Sequence, residues 1–182
     1  MADHSARALF LLGDVEFLFP LVQNARTRSL ALTGILTGLK PRASRCLHPI
    51  PLDYRPAERL LALKSAAVTR LVNEELRPGS SFIDIKATDV AEALRGLSSP
   101  YVVIRQHAVC VLGDRGLGKA AGKVVLPALA DRFHDPEPNV RRLTLLALSY
   151  WKAAAQPYHA EMRKLQKDKD ADIRFWARYV FD

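Results

Sequence analysis

Cysteine is scarce in this 182-residue chain: there are two, Cys46 and Cys110. One sits in a Pro-rich segment and the other in an apolar stretch far downstream, which fits a reducing compartment rather than a disulfide framework. Long apolar runs are also missing. Residues 8–12 are apolar but are followed by Gly13, Asp14 and Glu16, too short a stretch to span a bilayer. No small-residue cleavage site follows a basic start, and acidic residues at 3, 14 and 16 argue against a transit peptide. No segment has the composition of a disordered tail. The expectation is a soluble, cytoplasmic chain with no membrane span.

The side chains of common active sites are thinly spread. The five histidines, His4, His48, His107, His134 and His159, show no metal-ligand spacing with one another or with Cys, Asp or Glu. No Gly-x-Ser-x-Gly elbow is present. The stretch 113–119 (GDRGLGK) matches the phosphate-loop pattern G-x-x-x-x-G-K. Ala120 stands where Ser or Thr would hold Mg²⁺, and the nearest downstream apolar stretch that ends in a carboxylate, at Asp131, contains Pro127. A long glycine-rich connection over 113–122 is the better reading. The expectation is a non-enzyme, with no catalytic residue, metal or cofactor.

What is present is a repeat. An apolar residue precedes a basic one, a small residue follows three later, and a large apolar residue follows seven later. The pattern reads Ile104-Arg105 with Ala108 and Leu112, Val140-Arg141 with Thr144 and Leu148, and Ile173-Arg174 with Ala177 and Phe181. Weaker copies are Thr27-Arg28 with Ala31 and Ile35, and Leu63-Lys64 with Ala67 and Leu71. The basic residues are spaced by 36, 41, 36 and 33. A period in this range signals a stack of similar supersecondary units.

Helical patterning places the units. Residues 123–135 carry apolar side chains near helical spacing, two prolines in 135–139 break the pattern, and 140–152 resume it. Residues 87–97 and 101–112 make a similar pair around Ser98-Ser99-Pro100, with Thr88 and Ser99 as expected N-caps. Residues 157–165 and 172–182 make a third. The N-terminal half is less regular: 14–24 and 26–39 pattern as a helix pair, and 57–76 as helix. Between them, prolines at 41, 49, 51 and 56 exclude a long helix. One domain, 1–182, is expected, with irregular repeats over 1–39, a Pro-rich loop over 40–56, a partial repeat over 57–87 and three regular repeats over 88–182.

The motif extends to the turns. Asp135 and Asp168 lie six residues before Arg141 and Arg174, with Ser99 in that place before Arg105 and Glu58 before Lys64. Helix–turn–helix units of this length, with Asp in the turn and an apolar–Arg pair opening the second helix, resemble HEAT repeats. The resemblance implies an all-α, right-handed α-solenoid of about four to five units. It also implies a structural ladder through Arg105, Asp135, Arg141, Asp168 and Arg174, each arginine reaching the Asp of a neighbouring repeat. Members of this family mostly bind proteins or nucleic acids along the second helices, and a few are lyases, hydroxylases or DNA glycosylases.

A net charge of +8 favours acidic partners. The expected function is a non-catalytic interaction or scaffold subunit of a larger assembly, with a protein partner presenting an acidic or apolar surface. A glycosylase-like nucleic-acid binder and a HEAT-like lyase are the alternatives. The expected contact residues are Arg142, Tyr150, Lys152, Phe175 and Tyr179. The crowding of Phe175, Trp176, Tyr179, Val180 and Phe181 near the C-terminus adds a homo-oligomer through the last helix as a further expectation.

Overall fold

The computed structural model describes residues 18–24, 26–28, 31–32, 35, 52–76, 87–113 and 117–181, and all regular structure among them is helical. The chain divides into two compact units, Met1–Ile83 and Asp84–Asp182. Cys46 and most of the Pro-rich loop lie outside the described residues.

In the first unit, α1 spans Leu18–Gln23, α2 spans Arg55–Ala62 and α3 spans Ala66–Glu75. Residues 28, 31, 32 and 35 are also helical. Leu18, Val22, Ala31, Leu32, Ile35, Tyr54, Leu60 and Val72 are among its buried side chains. Two expectations need correction. Helix begins at Arg55, inside the expected loop, because Pro56 falls in the first turn, where a missing N–H costs nothing. The helix expected over 57–76 is two helices. The chain breaks at Lys64, whose φ of 51° lies in the left-handed region that interrupts a right-handed helix.

The second unit holds the regular pairs. Here α4 is Ala87–Gly96, α5 is Val102–Leu112, α6 is Gly118–Ala130 and α7 is Pro138–Tyr150. The final pair is α8, His159–Lys164, and α9, Ala171–Tyr179. Short 3₁₀ turns at Asp131–His134, Lys152–Tyr158 and Leu165–Lys167 tighten the connections. Helix α5 packs on α4 and α7, and α7 packs on α5, α6 and α9. The second helices of successive pairs therefore lie against one another.

The sequence of α7 shows why. Pro138 starts the helix with a preset φ. Val140, Leu143, Thr144, Ala147 and Leu148 recur at helical spacing and are buried. Thr144 satisfies its hydroxyl by donating to the Val140 carbonyl at 2.9 Å. Small residues allow close approach: a Cβ placed on Gly113 would lie 2.8 Å from the Ala147 Cβ.

Three local expectations are revised. The glycine-rich run is not a loop throughout, because α6 already begins at Gly118. Its Gly122 lies under Trp151, with the indole Cζ3 3.1 Å from where a Cβ would stand, so this glycine makes room for a ring. Trp151 also donates Nε1–H to the Leu112 carbonyl at 3.0 Å, joining α5 to the end of α7. Ser99 is not an N-cap: its hydroxyl accepts from Tyr101 N–H, one residue before α5, and Thr88 lies inside α4.

Gly113→Ala is expected to lower unfolding free energy by about 1–3 kcal/mol, the range for overpacking a close helix contact. Urea denaturation checks it; an unchanged midpoint would mean the two helices separate at little cost.

Candidate functional site

Three arginines occupy one register position on α5, α7 and α9, and each begins with the same local contact. Arg105 Nη1 donates to the Ser99 and Pro100 carbonyls at 3.0 and 3.3 Å. Arg141 Nη1 donates to those of Asp135 and Pro136 at 2.8 and 3.2 Å. Arg174 Nη1 donates to those of Asp168 and Lys169 at 2.7 and 2.9 Å. The guanidinium thus holds the turn that precedes its own helix and leaves Nε and Nη2 aimed onward.

In two cases that remaining fork meets a carboxylate of the next turn. Arg105 donates to Asp135 at 2.8 and 3.1 Å, and Arg141 to Asp168 at 2.9 and 2.9 Å. Bidentate arginine–carboxylate pairs fix geometry as well as charge. Each Asp also accepts from the backbone N–H two residues on, Glu137 and Asp170 respectively. These rungs are buried: the side chains of Arg141 and Asp168 are 6% and 8% exposed. Burial pushes the Asp168 carboxyl up, but hydrogen bonds from Arg141 and the Asp170 backbone, with the charges of Arg141 and Lys169, outweigh it and hold the carboxyl below the usual range.

At Arg174 the fork carries no carboxylate among the described residues. Helix α9 is N-capped by Asp170, which accepts from Asp172 and Ile173 N–H. Its inner face is Ile173 and Ala177, while Phe175 and Tyr179 are 60% and 63% exposed. The two rings stack on each other at 6.3 Å, and Trp176 meets both edge-on. Phe181 is held from the other side by Arg163 over its ring at 4.7 Å and by His159 at its edge. Phe175, Trp176 and Tyr179 therefore form a cluster on α9 itself, while Phe181, just beyond it, packs on α8.

The other expected contact residues are scattered. Tyr150 is 48% exposed at the end of α7. Lys152 is exposed, with a φ of 49° just beyond that helix. Arg142 is half-buried on α7, close enough to Cys110 for its charge to act on that thiol.

Of the weaker copies, the structure separates two. Arg28 donates to the carbonyls of Val22 and Gln23, six and five residues earlier, at 2.8 and 3.2 Å. The carbonyls stand at the same spacing as in the regular repeats, but here Nε and Nη2 donate to them, whereas there Nη1 serves both. Lys64 lies in the break between α2 and α3, outside any helix, so the pattern there does not reproduce the register. Also unforeseen is Arg132, which donates Nη1–H to the Leu97 carbonyl at 3.0 Å while its buried Nε finds no acceptor. Its sequence context, beside an acidic residue in a turn, reads as surface.

Burial shifts His107 and Cys110 away from acid–base and nucleophilic chemistry. Burial lowers the His107 pKa to about 4, so the ring stays neutral through the physiological range. Burial raises the Cys110 thiol to about 12, against a weaker opposing pull from Arg142, leaving almost no thiolate. The element before the 113–119 motif is helix α5 rather than a strand, and Lys119 belongs to the first turn of α6. Among the described residues no group of three or more His, Cys, Asp and Glu is placed to hold a metal. No helix there is long and apolar enough to cross a membrane. In the first unit, Phe19, Pro20, Gln23, Arg59 and Leu63 line a hollow of about 390 Å³, with Arg59 over the Phe19 ring at 4.0 Å.

No family model matches the chain, and no curated protein matches it. Among solved structures it is similar to a crystal structure of an engineered protein from the Northeast Structural Genomics Consortium. The TM-score is 0.51 at 16% identity, covering 98% of this chain and 82% of that one. A likeness at this identity is one of fold alone.

Arg141→Ala strands the Asp168 carboxylate and is expected to cost about 3–5 kcal/mol of stability, measured by urea unfolding. The pH dependence has two windows. Because the folded Asp168 pKa is depressed, its contribution is present above the unfolded value of about 3.9 and lost as pH falls through the folded value. Asp168→Asn should therefore flatten the acid limb below about pH 4. His107 acts higher: the unfolded ring takes a proton near 6.5 while the folded one resists it to about 4, so stability falls as pH drops across that interval. In thermal melts, His107→Gln should reduce the loss between pH 6.5 and 5.

Proposed function

We propose that the chain is a HEAT-like α-solenoid that serves as a non-catalytic protein-interaction or scaffold subunit, docking a partner through α9. The observation that carries this reading is the stacked pair Phe175 and Tyr179, 60% and 63% exposed on the outer face of α9. Large exposed aromatic patches mark interaction sites, and Tyr, Trp and Arg dominate interface energetics. The pair is already stacked, so little side-chain entropy remains to be lost when a partner covers it. The repeating turn-clasp at Arg105, Arg141 and Arg174 supports the solenoid: one local device recurs on consecutive second helices that pack together. Tyr150 and Lys152, exposed at the end of α7, are a secondary contact region.

The net charge of +8 favours one alternative, a nucleic-acid-binding solenoid. Such binding is dominated by phosphate contacts and falls steeply with salt.

The test is affinity capture from the native source with the wild-type chain and the Phe175→Ala/Tyr179→Ala variant, with circular dichroism to show that both fold. Partners captured by the wild type and lost with the variant are the expected outcome. Identical capture by both removes α9 as the docking face. Saturable binding to a DNA or RNA duplex at low salt, abolished by about 200 mM salt, would establish the alternative instead.

A further inference from the structure

We infer that the Arg174 fork, with Arg178 one turn on, is a preformed carboxylate-recognition site on α9, and that it takes an acidic turn of a partner protein. The inference rests on the docking reading of α9 and adds the chemistry of what docks there.

Two of the three forks are occupied. At Arg105 and Arg141, Nη1 is tied to the two carbonyls of the preceding turn, and Nε with Nη2 then receive a turn carboxylate in bidentate fashion. Arg174 has the same tie, with both Nη1 contacts under 3.0 Å. Its guanidinium plane is therefore set in advance, as in the two arginines that bind carboxylates. The remaining donors meet no carboxylate among the described residues. A fork held this way suits a planar two-oxygen acceptor, and little freedom is lost on binding.

The neighbouring position points the same way. Four residues after Arg105 and Arg141 stand Val109 and Leu145, both fully buried. Four residues after Arg174 stands Arg178, which is exposed. An apolar layer that continues the stack would have to cover that charge. A partner that supplies acid would neutralise both guanidiniums while its apolar side chains cover the Phe175–Tyr179 stack.

The occupant that matches the two filled forks is a partner turn with Asp or Glu placed as Asp135 and Asp168 are placed within this chain. Self-association of the full chain that Arg174→Lys abolishes would overturn this in favour of a second copy.

The experiment selects, on the full-length chain, from a displayed library of helix–turn–helix peptides randomised at the turn. The expected result is enrichment of Asp or Glu over Asn and Gln at one turn position. A selected peptide should bind at least about tenfold more weakly to Arg174→Lys, which keeps the charge but loses the bidentate fork. Replacing its acid by the amide should have a similar effect. No selection above bare matrix, no acidic enrichment, or equal binding to Arg174→Lys overturns the inference, as does a DNA duplex competing for Arg174-dependent binding. The two readings fail separately. If Phe175→Ala/Tyr179→Ala abolishes partner capture while Arg174→Lys leaves it intact, α9 is a docking face and the carboxylate site is wrong.

Discussion

The second unit depends on one arrangement: an arginine that clasps the carbonyls of its own turn and reaches a carboxylate of the next. The first contact orders a segment that prolines and aspartates exclude from helix. The second fixes where the following pair sits. Because Asp135 and Asp168 also accept a backbone N–H beyond themselves, each rung ties two turns and the start of a helix together. Buried ion pairs of this kind add little net free energy over a well-packed apolar substitute, yet are costly to break. Their main contribution here is register: a fork and a carboxylate meet in one geometry, whereas leucines tolerate several.

Packing around the rungs follows from that register. Once Arg141 is pinned to Asp168, the small side chains Thr144 and Ala147 face their neighbours, and Gly113 comes close enough to Ala147 that a methyl group would collide. Trp151 then closes the far end, its ring over Gly122 and its N–H on the Leu112 carbonyl. The polar ladder at one end of the helices and the indole at the other hold an otherwise aliphatic core between them. Helix α9 carries the same clasp but presents Arg178 where α5 and α7 present buried Val109 and Leu145, and it stacks Phe175 on Tyr179 at its surface. This contrast is the basis of the functional proposal.

Much of this was legible in the sequence because the signals are local. An arginine six residues after a turn Asp, followed by a small and then a large apolar residue at helical spacing, fixes both a helix and the face it buries. Where the signal needed a neighbour, the sequence misled. Lys64 satisfies the same spacing as Arg28, yet Arg28 clasps its turn and Lys64 sits in a helix break with positive φ. An ammonium cannot hold two carbonyls and a carboxylate in one plane as a guanidinium does, and that difference is invisible to a pattern that scores both as basic. Glycines over 113–122 likewise suggested a loop. Helix α6 nevertheless starts at Gly118, since a helix lined by an indole has reason to keep a glycine beneath it.

The sequence by itself determined the helical class, the second helices and the identity of the clasping arginines, because each depends on residues within about two turns of one another. Only the tertiary structure decided which carboxylate each fork meets, since Asp135 and Asp168 lie 30 and 27 residues from their partners. It alone showed that Arg132 is drawn inward and that Phe175 and Tyr179 stack on each other at the surface of α9. These outcomes are settled by what lies alongside in space, where burial and pairing are shared between helices far apart in the chain.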